Sequence, residues 1–95
     1  MLYCFSQAAY SDNELTGYFA TMTKNDAVVL WQDGVLLAIK YPHYFKECKA
    51  SCFVLEQDIS ARNLAALLPQ RSKVRSLSLM DFVKLTEQFF PQIAL

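Results

Sequence analysis

Short apolar runs alternate with stretches in which hydrophobic residues recur every three or four positions. Leu2 to Ser6 is apolar and aromatic and predicts a first strand. Ser11, Asp12 and Asn13 offer helix N-caps, and Leu15, Tyr18, Phe19 and Met22 follow at helical spacing, with Glu14 in the favoured first turn. Lys24-Asn25-Asp26 closes that helix. Ala27-Val28-Val29-Leu30-Trp31 is continuously apolar, as expected of a strand buried on both faces of a parallel sheet.

Asp33-Gly34 then separates two apolar runs and admits two readings. One is a tight hairpin, for which Asp-Gly is a strong signal. The other is a strand ending at Gln32, a turn, and a helix from Val35, for which Leu36, Leu37 and Ala38 are good formers. Pro42 ends the segment, because the residue before proline avoids the helical region. Tyr44, Phe45 and Cys48 predict a short helix with Lys46, Glu47 and Lys49 outward, and Ser51–Leu55 a third strand. Residues 58–64 predict a helix capped near Gln57 or Asp58, with Ile59, Leu64 and Leu67 inward, and Pro69 stops it. Val74 to Leu79 alternates polar and apolar, the mark of a half-buried strand nearer a sheet edge. Asp81 caps a last helix carrying Phe82, Val83, Leu85 and Phe89. Pro91 ends that helix, and Gln92 to Leu95 is a short apolar tail. Strands alternating with helices give an α/β class with a mainly parallel sheet of four to five strands, and 95 residues fit a single domain, 1–95.

Composition sharpens this picture. Hydrophobic residues make up 54% of the chain and charged residues 19%, although a domain this small has proportionally more surface to keep polar. The apolar surplus predicts contact with other subunits. Nine basic residues balance nine acidic ones, so no basic field steers the chain onto nucleic acid. No apolar run approaches the roughly 20 residues needed to span a bilayer. The start of the chain lacks the charged and apolar regions of a signal peptide, so the expected location is cytoplasmic. Three cysteines, Cys4, Cys48 and Cys52, are then expected to be thiols.

Candidate chemistry is sparse. His43, the one histidine, falls in a loop beside Pro42 with no identifiable partner. Cys48 and Cys52 would need Cys4 and His43 to complete a zinc site, and no metal or other cofactor is expected. Cys4 and Cys52 lie in apolar strands, where burial raises a thiol's pKa. Cys48, between Lys46 and Lys49, is the best nucleophile candidate of the three, although it reads first as a small apolar residue on a helix face. Two glycines cannot build a phosphate loop.

Three segments carry a resemblance. Val29-Leu30-Trp31-Gln32-Asp33-Gly34-Val35 resembles the LLxQDGV signature of the TusB/DsrH family. Residues 53–64 are similar to its VYALxEDxxARGL segment, and Asp81-Phe82-Val83-Lys84-Leu85-Thr86 matches its DFVxLT helix start. Met1-Leu2-Tyr3 is similar to its opening MLH. The resemblance implies a three-layer α/β/α domain and favours strand-turn-helix at Asp33-Gly34. It implies an accessory subunit, joined to TusC-like and TusD-like paralogues in a heterohexamer that relays persulfide sulfur towards 2-thiolation of the tRNA wobble uridine. In relatives from sulfur oxidisers, similar complexes serve sulfur oxidation, where a local cysteine persulfide is the alternative role. The principal sulfur-carrying cysteine of the tRNA system belongs to the TusD-type paralogue.

Some members carry a first-helix cysteine where this chain has Tyr18, and tyrosine cannot hold a persulfide. A family glycine is Asn63 here, tolerable in a left-handed C-cap, and the usual terminal tryptophan is Leu95. Trp31, Gln32, Asp33, Gly34 and Phe82 are the expected interface residues, because strand ends and helix starts are where α/β domains present sites. Asp33 and Asp81 are also readable as plain turn and cap residues.

Overall fold

A computed structural model describes residues 1–68 and 73–95 of the chain. The expected stop at Pro69 lies outside the described residues. The elements run β1 (Leu2–Phe5), α1 (Asp12–Thr21), β2 (Ala27–Leu30), a 3₁₀ turn (Gln32–Leu36), α2 (Leu37–Lys40) and α3 (Pro42–Glu47). They continue with β3 (Ser51–Leu55), α4 (Glu56–Ala61), a second 3₁₀ turn (Ala65–Leu67), β4 (Arg75–Leu77), α5 (Leu79–Gln88) and β5 (Gln92–Ala94). The strands form one sheet in the order β4-β3-β2-β1-β5, with every neighbouring pair parallel.

Topology decides which face each helix covers. β1 to β4 step in one direction across the sheet, and the β4-to-β5 connection crosses back. Right-handed crossovers then put α1 to α4 on one face and α5 on the other. The packing agrees. On the first face Tyr3, Phe5, Val28, Leu30, Cys52 and Val54 meet Leu15, Leu37, Phe45 and Ile59 from those four helices. On the second face Leu2, Cys4, Ala27 and Val29 meet Leu85 of α5, with Trp31, Phe53, Phe82 and Phe89 half-buried around them. All four residues of β1 and of β2 are buried, which is why these strands read as unbroken apolar runs.

Local chemistry places the boundaries. Ser11 and Glu14 form a reciprocal capping box at the start of α1. The Asp33-Gly34 segment is a strand followed by a 3₁₀ turn and helix, not a hairpin. Pro42 both ends α2 and opens α3 at a position that needs no N–H donor. His43, expected in a loop, is the second residue of α3, exposed and tilted against the Tyr44 ring at 4.3 Å.

Four further expectations are corrected. α4 begins at Glu56 rather than beyond Gln57 or Asp58, because β3 runs straight into it and the Asp58 carboxylate is engaged elsewhere. Leu67 is exposed, whereas Ile59 is buried as expected and Leu64 half-buried. Ser78, not Asp81, caps α5, its hydroxyl accepting from the Asp81 N–H at 3.1 Å. The apolar tail is a fifth strand, β5, paired with β1.

Candidate functional site

The segment from Trp31 to Gly34 leaves the C-terminal end of β2. Gly34 is buried with its backbone against β1, where a Cβ would meet Phe5 O at 2.0 Å. Close approach, rather than a positive φ, requires glycine there. The left-handed residue of the turn is Gln32, at φ 53°. That conformation costs a non-glycine residue about 1–2 kcal/mol. It is held by Asp58 of α4, whose Oδ2 accepts from the Gln32 N–H at 2.6 Å. Arg62 then joins the two motifs, with Nη2 at 3.0 Å from Asp33 Oδ1 and Nη1 at 3.6 Å from Asp58 Oδ1. Asn63 follows at φ 52°, the left-handed position anticipated from the sequence.

Trp31 turns to the other face and meets Phe82 of α5 edge-on, with centroids 5.9 Å apart. Among the described residues the buried indole N–H of Trp31 has no hydrogen-bond acceptor. So the fold does bring Trp31 and Phe82 together, and it ties Gln32 and Asp33 to Asp58 and Arg62. By sequence Asp58 reads as a cap and Arg62 as part of a motif. Neither carries a sequence signal for its partner across 26 or 29 positions. Asp81 is exposed within the first turn of α5. On this same end of the sheet, a cleft of about 320 Å³ opens between the starts of α4 and α5, lined by Glu56, Ser60, Ser78 and Leu79. Here the chain leaves β3 toward one face and β4 toward the other.

The outer side of α5 carries an apolar stripe beside the exposed Asp81, Lys84 and Glu87. Met80 is 71% exposed, Leu79 54% and Val83 53%, spaced so that they share one stripe. Phe82, Leu85 and Phe89 occupy the inward stripe.

Cys48 and Cys52 lie at the opposite, N-terminal end of the sheet. Cys48 follows the last residue of α3 in extended backbone, not on a helix face, and Cys52 is the second residue of β3. Both are buried. In the neutral pair, Cys48 Sγ donates to Met22 Sδ at 3.8 Å and Cys52 Sγ to Ala50 O at 3.6 Å. The Cys52 thiol, reinforced by the Ala50 backbone N–H and the Lys73 charge and opposed by burial and Asp26, pulls Cys48 down to about 7. The same partnership, together with burial, pushes Cys52 up. Burial also raises Cys4. Cys48 is thus the most acidic of the three, as its lysine-rich segment predicted, but the main cause is Cys52 rather than Lys46 or Lys49.

The four residues that a zinc site would need, Cys4, His43, Cys48 and Cys52, do not converge. Cys4 packs on the second face of the sheet, Cys52 on the first, and His43 points to solvent. Among the described residues no helix is long and apolar enough to cross a membrane.

Comparison with known proteins gives a consistent answer. The family model for DsrH like protein matches residues 7–92. The chain is 59% identical, over the full length of both, to an uncharacterized protein of Haemophilus influenzae. It is 34% identical to Protein TusB of Yersinia pestis (strain Pestoides F), with 99% of each chain covered. The solution structure of Protein Tm0979 from Thermotoga maritima shares the fold, with a TM-score of 0.61, 22% identity and 92% of each chain covered.

Proposed function

The chain belongs to the DsrH-like family, and on that premise we propose that it is an accessory subunit of a cytoplasmic sulfur-relay complex. In this reading residues 1–95 act as one domain that docks against TusC-like and TusD-like paralogues in a heterohexamer, and the complex serves 2-thiolation of the tRNA wobble uridine. The identity to a TusB protein across 99% of both chains is the observation that carries the reading. The uncovered stripe of Leu79, Met80 and Val83 supports it, because a monomer gains nothing by exposing such residues together. Trp31 and Phe82 sit beside that stripe, and with Gln32, Asp33 and Gly34 they are the contact residues we assign. Tyr18 stands where other members have a first-helix cysteine, which favours a role without its own sulfur there. The balanced charge leaves tRNA contact to other subunits.

Co-expression with the two paralogous chains tests this. The expected result is co-purification of all three, loss of the paralogues from Met80→Glu and Val83→Glu variants, and loss of 2-thiouridine from tRNA when the gene is deleted. A stable homodimer that ignores both chains, or unchanged thiolation on deletion, overturns it. The acidic Cys48 favours a second reading, in which a local persulfide serves a sulfur-oxidation complex. Persulfide labelling of chains with each cysteine changed to serine separates the two readings.

A further inference from the structure

We propose that Cys48 and Cys52 form a thiol–disulfide exchange site for small disulfides that carry a negative charge. The site is distinct from the C-terminal end of the sheet, and the proposal does not depend on the relay reading.

Three observations converge on it. Cys48 and Cys52 together line a cleft of about 360 Å³ at the start of β3. Lys49, Lys73 and Arg75 line the same cleft, and Lys24, Lys49 and Lys73, with Glu47 as the acidic residue among them, line an adjoining one that also reaches Cys48 and Met22. Both thiols line this one cleft, and Cys52 is the neighbour that most lowers Cys48, so a second sulfur stands near the first. Cys48, lowered to about 7, lies near the optimum for an attacking thiol at neutral pH. Asp26 is the charge that opposes this, and Lys73 the one that favours it. Lys49, Lys73 and Arg75 leave an excess of positive charge around the mouth, which selects an anionic co-substrate.

The chemistry balances without any further reactant. The Cys48 thiolate attacks one sulfur of a disulfide RSSR. Its S–S bond breaks, RS⁻ departs, and a mixed disulfide forms on Cys48. The Cys52 sulfur then attacks the Cys48 sulfur, its proton passes to the second departing RS⁻, and the Cys48–Cys52 disulfide remains. The two protein thiols are oxidised and the small disulfide is reduced to two thiols. Excess RSH reverses both steps.

Glutathione disulfide at neutral pH is the probe. The intact chain should lose two hydrogens in mass, with peptide mapping linking Cys48 to Cys52, and reduced glutathione should restore it. Cys52→Ser should trap a glutathione adduct on Cys48, Cys48→Ser should not react, and Cys4→Ser should behave as the unaltered chain. Lys73→Gln should slow the reaction with uncharged hydroxyethyl disulfide slightly, by raising the Cys48 thiol, and that with glutathione disulfide several-fold more. An adduct on Cys4, no Cys48–Cys52 link, or an unaffected Cys48→Ser chain overturns the proposal. Equal slowing with both probes overturns its anionic specificity. If the serine variants fail to fold, iodoacetamide labelling of the unaltered chain decides. Cys48 should react first, with a half-point near pH 7. A half-point at the ordinary thiol value, or earlier labelling of Cys4, overturns it.

Discussion

Gly34→Ala tests whether the turn after β2 is held by close backbone approach. The added Cβ would lie 2.0 Å from Phe5 O and 2.6 Å from Phe5 C, both backbone atoms that cannot swing aside as a side chain would. Relief requires the turn and the end of β1 to part by more than an ångström. The same Phe5 carbonyl accepts the Trp31 N–H at 3.1 Å, and Gly34 N donates to Trp31 O at 3.0 Å, so parting them also stretches the turn's own bonds. Overpacking costs about 1–3 kcal/mol, and one weakened backbone hydrogen bond adds about 1. A total of about 3 kcal/mol lowers the melting temperature by roughly 12–24 °C in a domain of this size. Gly17→Ala is the matched control. Its Cβ meets nothing within 4 Å and it lies inside α1, so the change should stabilise by about 0.5–1 kcal/mol. Urea unfolding with a constant slope measures both. A Gly34→Ala loss below about 1 kcal/mol, or a larger loss from Gly17→Ala, refutes the close-approach argument.

Other substitutions separate roles that the sequence leaves equivalent. Asp58→Ala removes the charged acceptor of the left-handed Gln32 N–H and should cost about 1.5–3 kcal/mol. Asp33→Ala removes an exposed ion pair and should cost about 0–1 kcal/mol, both read from urea midpoints. Ser78→Ala should cost about 1 kcal/mol as loss of a cap, whereas Asp81→Ala should cost a few tenths through the helix dipole alone. Stability should also depend on pH through the thiols. Cys48 is lowered to about 7 from an unfolded value of 9.0, so its contribution is fully present above pH 9 and lost as pH falls through 7. Cys52 and Cys4 are raised, so they take stability away as the unfolded thiols ionise above pH 9. Denaturation midpoints across pH 6–10 should therefore rise and then fall, and Cys48→Ser should abolish the rise.

The parts of the fold that sequence reveals are those whose cause is local or repetitive. β1, β2 and β3 announce themselves because burial on both faces demands unbroken apolar runs. α1 does so through Ser11, Glu14 and Leu15 within a single turn. β4 shows the alternation of an edge strand, and it is at the edge. β5 is hidden, because three residues become a strand only by pairing with β1, some ninety positions earlier. The start of α4 is misplaced because the residue that looks like its cap, Asp58, spends its carboxylate on Gln32. Leu67 looks like core because it is apolar at the right spacing, yet it lies in a 3₁₀ turn that presents it outward. At the candidate site, the Trp31 to Gly34 motif is visible but its reasons are not. Glycine answers to a carbonyl on β1, and the turn's unusual φ falls on Gln32. Cys48 stands out by its lysines, while the group that acidifies it is a second cysteine four residues on, a spacing that reads first as a metal pair.

The same topology separates the two places where chemistry can occur. Cys52 is in register with Val28, near the start of β2, whereas Trp31 lies beyond its end. Three residues of strand put about 10 Å between those levels. Cys52 faces the layer built by α1 to α4, while the apolar stripe belongs to α5 on the other face. The return crossing from β4 to β5 is what isolates α5, because right-handedness forbids it from joining the other helices. A partner seated on α5 and on the Trp31 turn therefore covers one end and one face, and the thiol cleft stays open at the other. The proposed docking and the proposed thiol exchange use different surfaces, and each can be tested by substitution apart from the other.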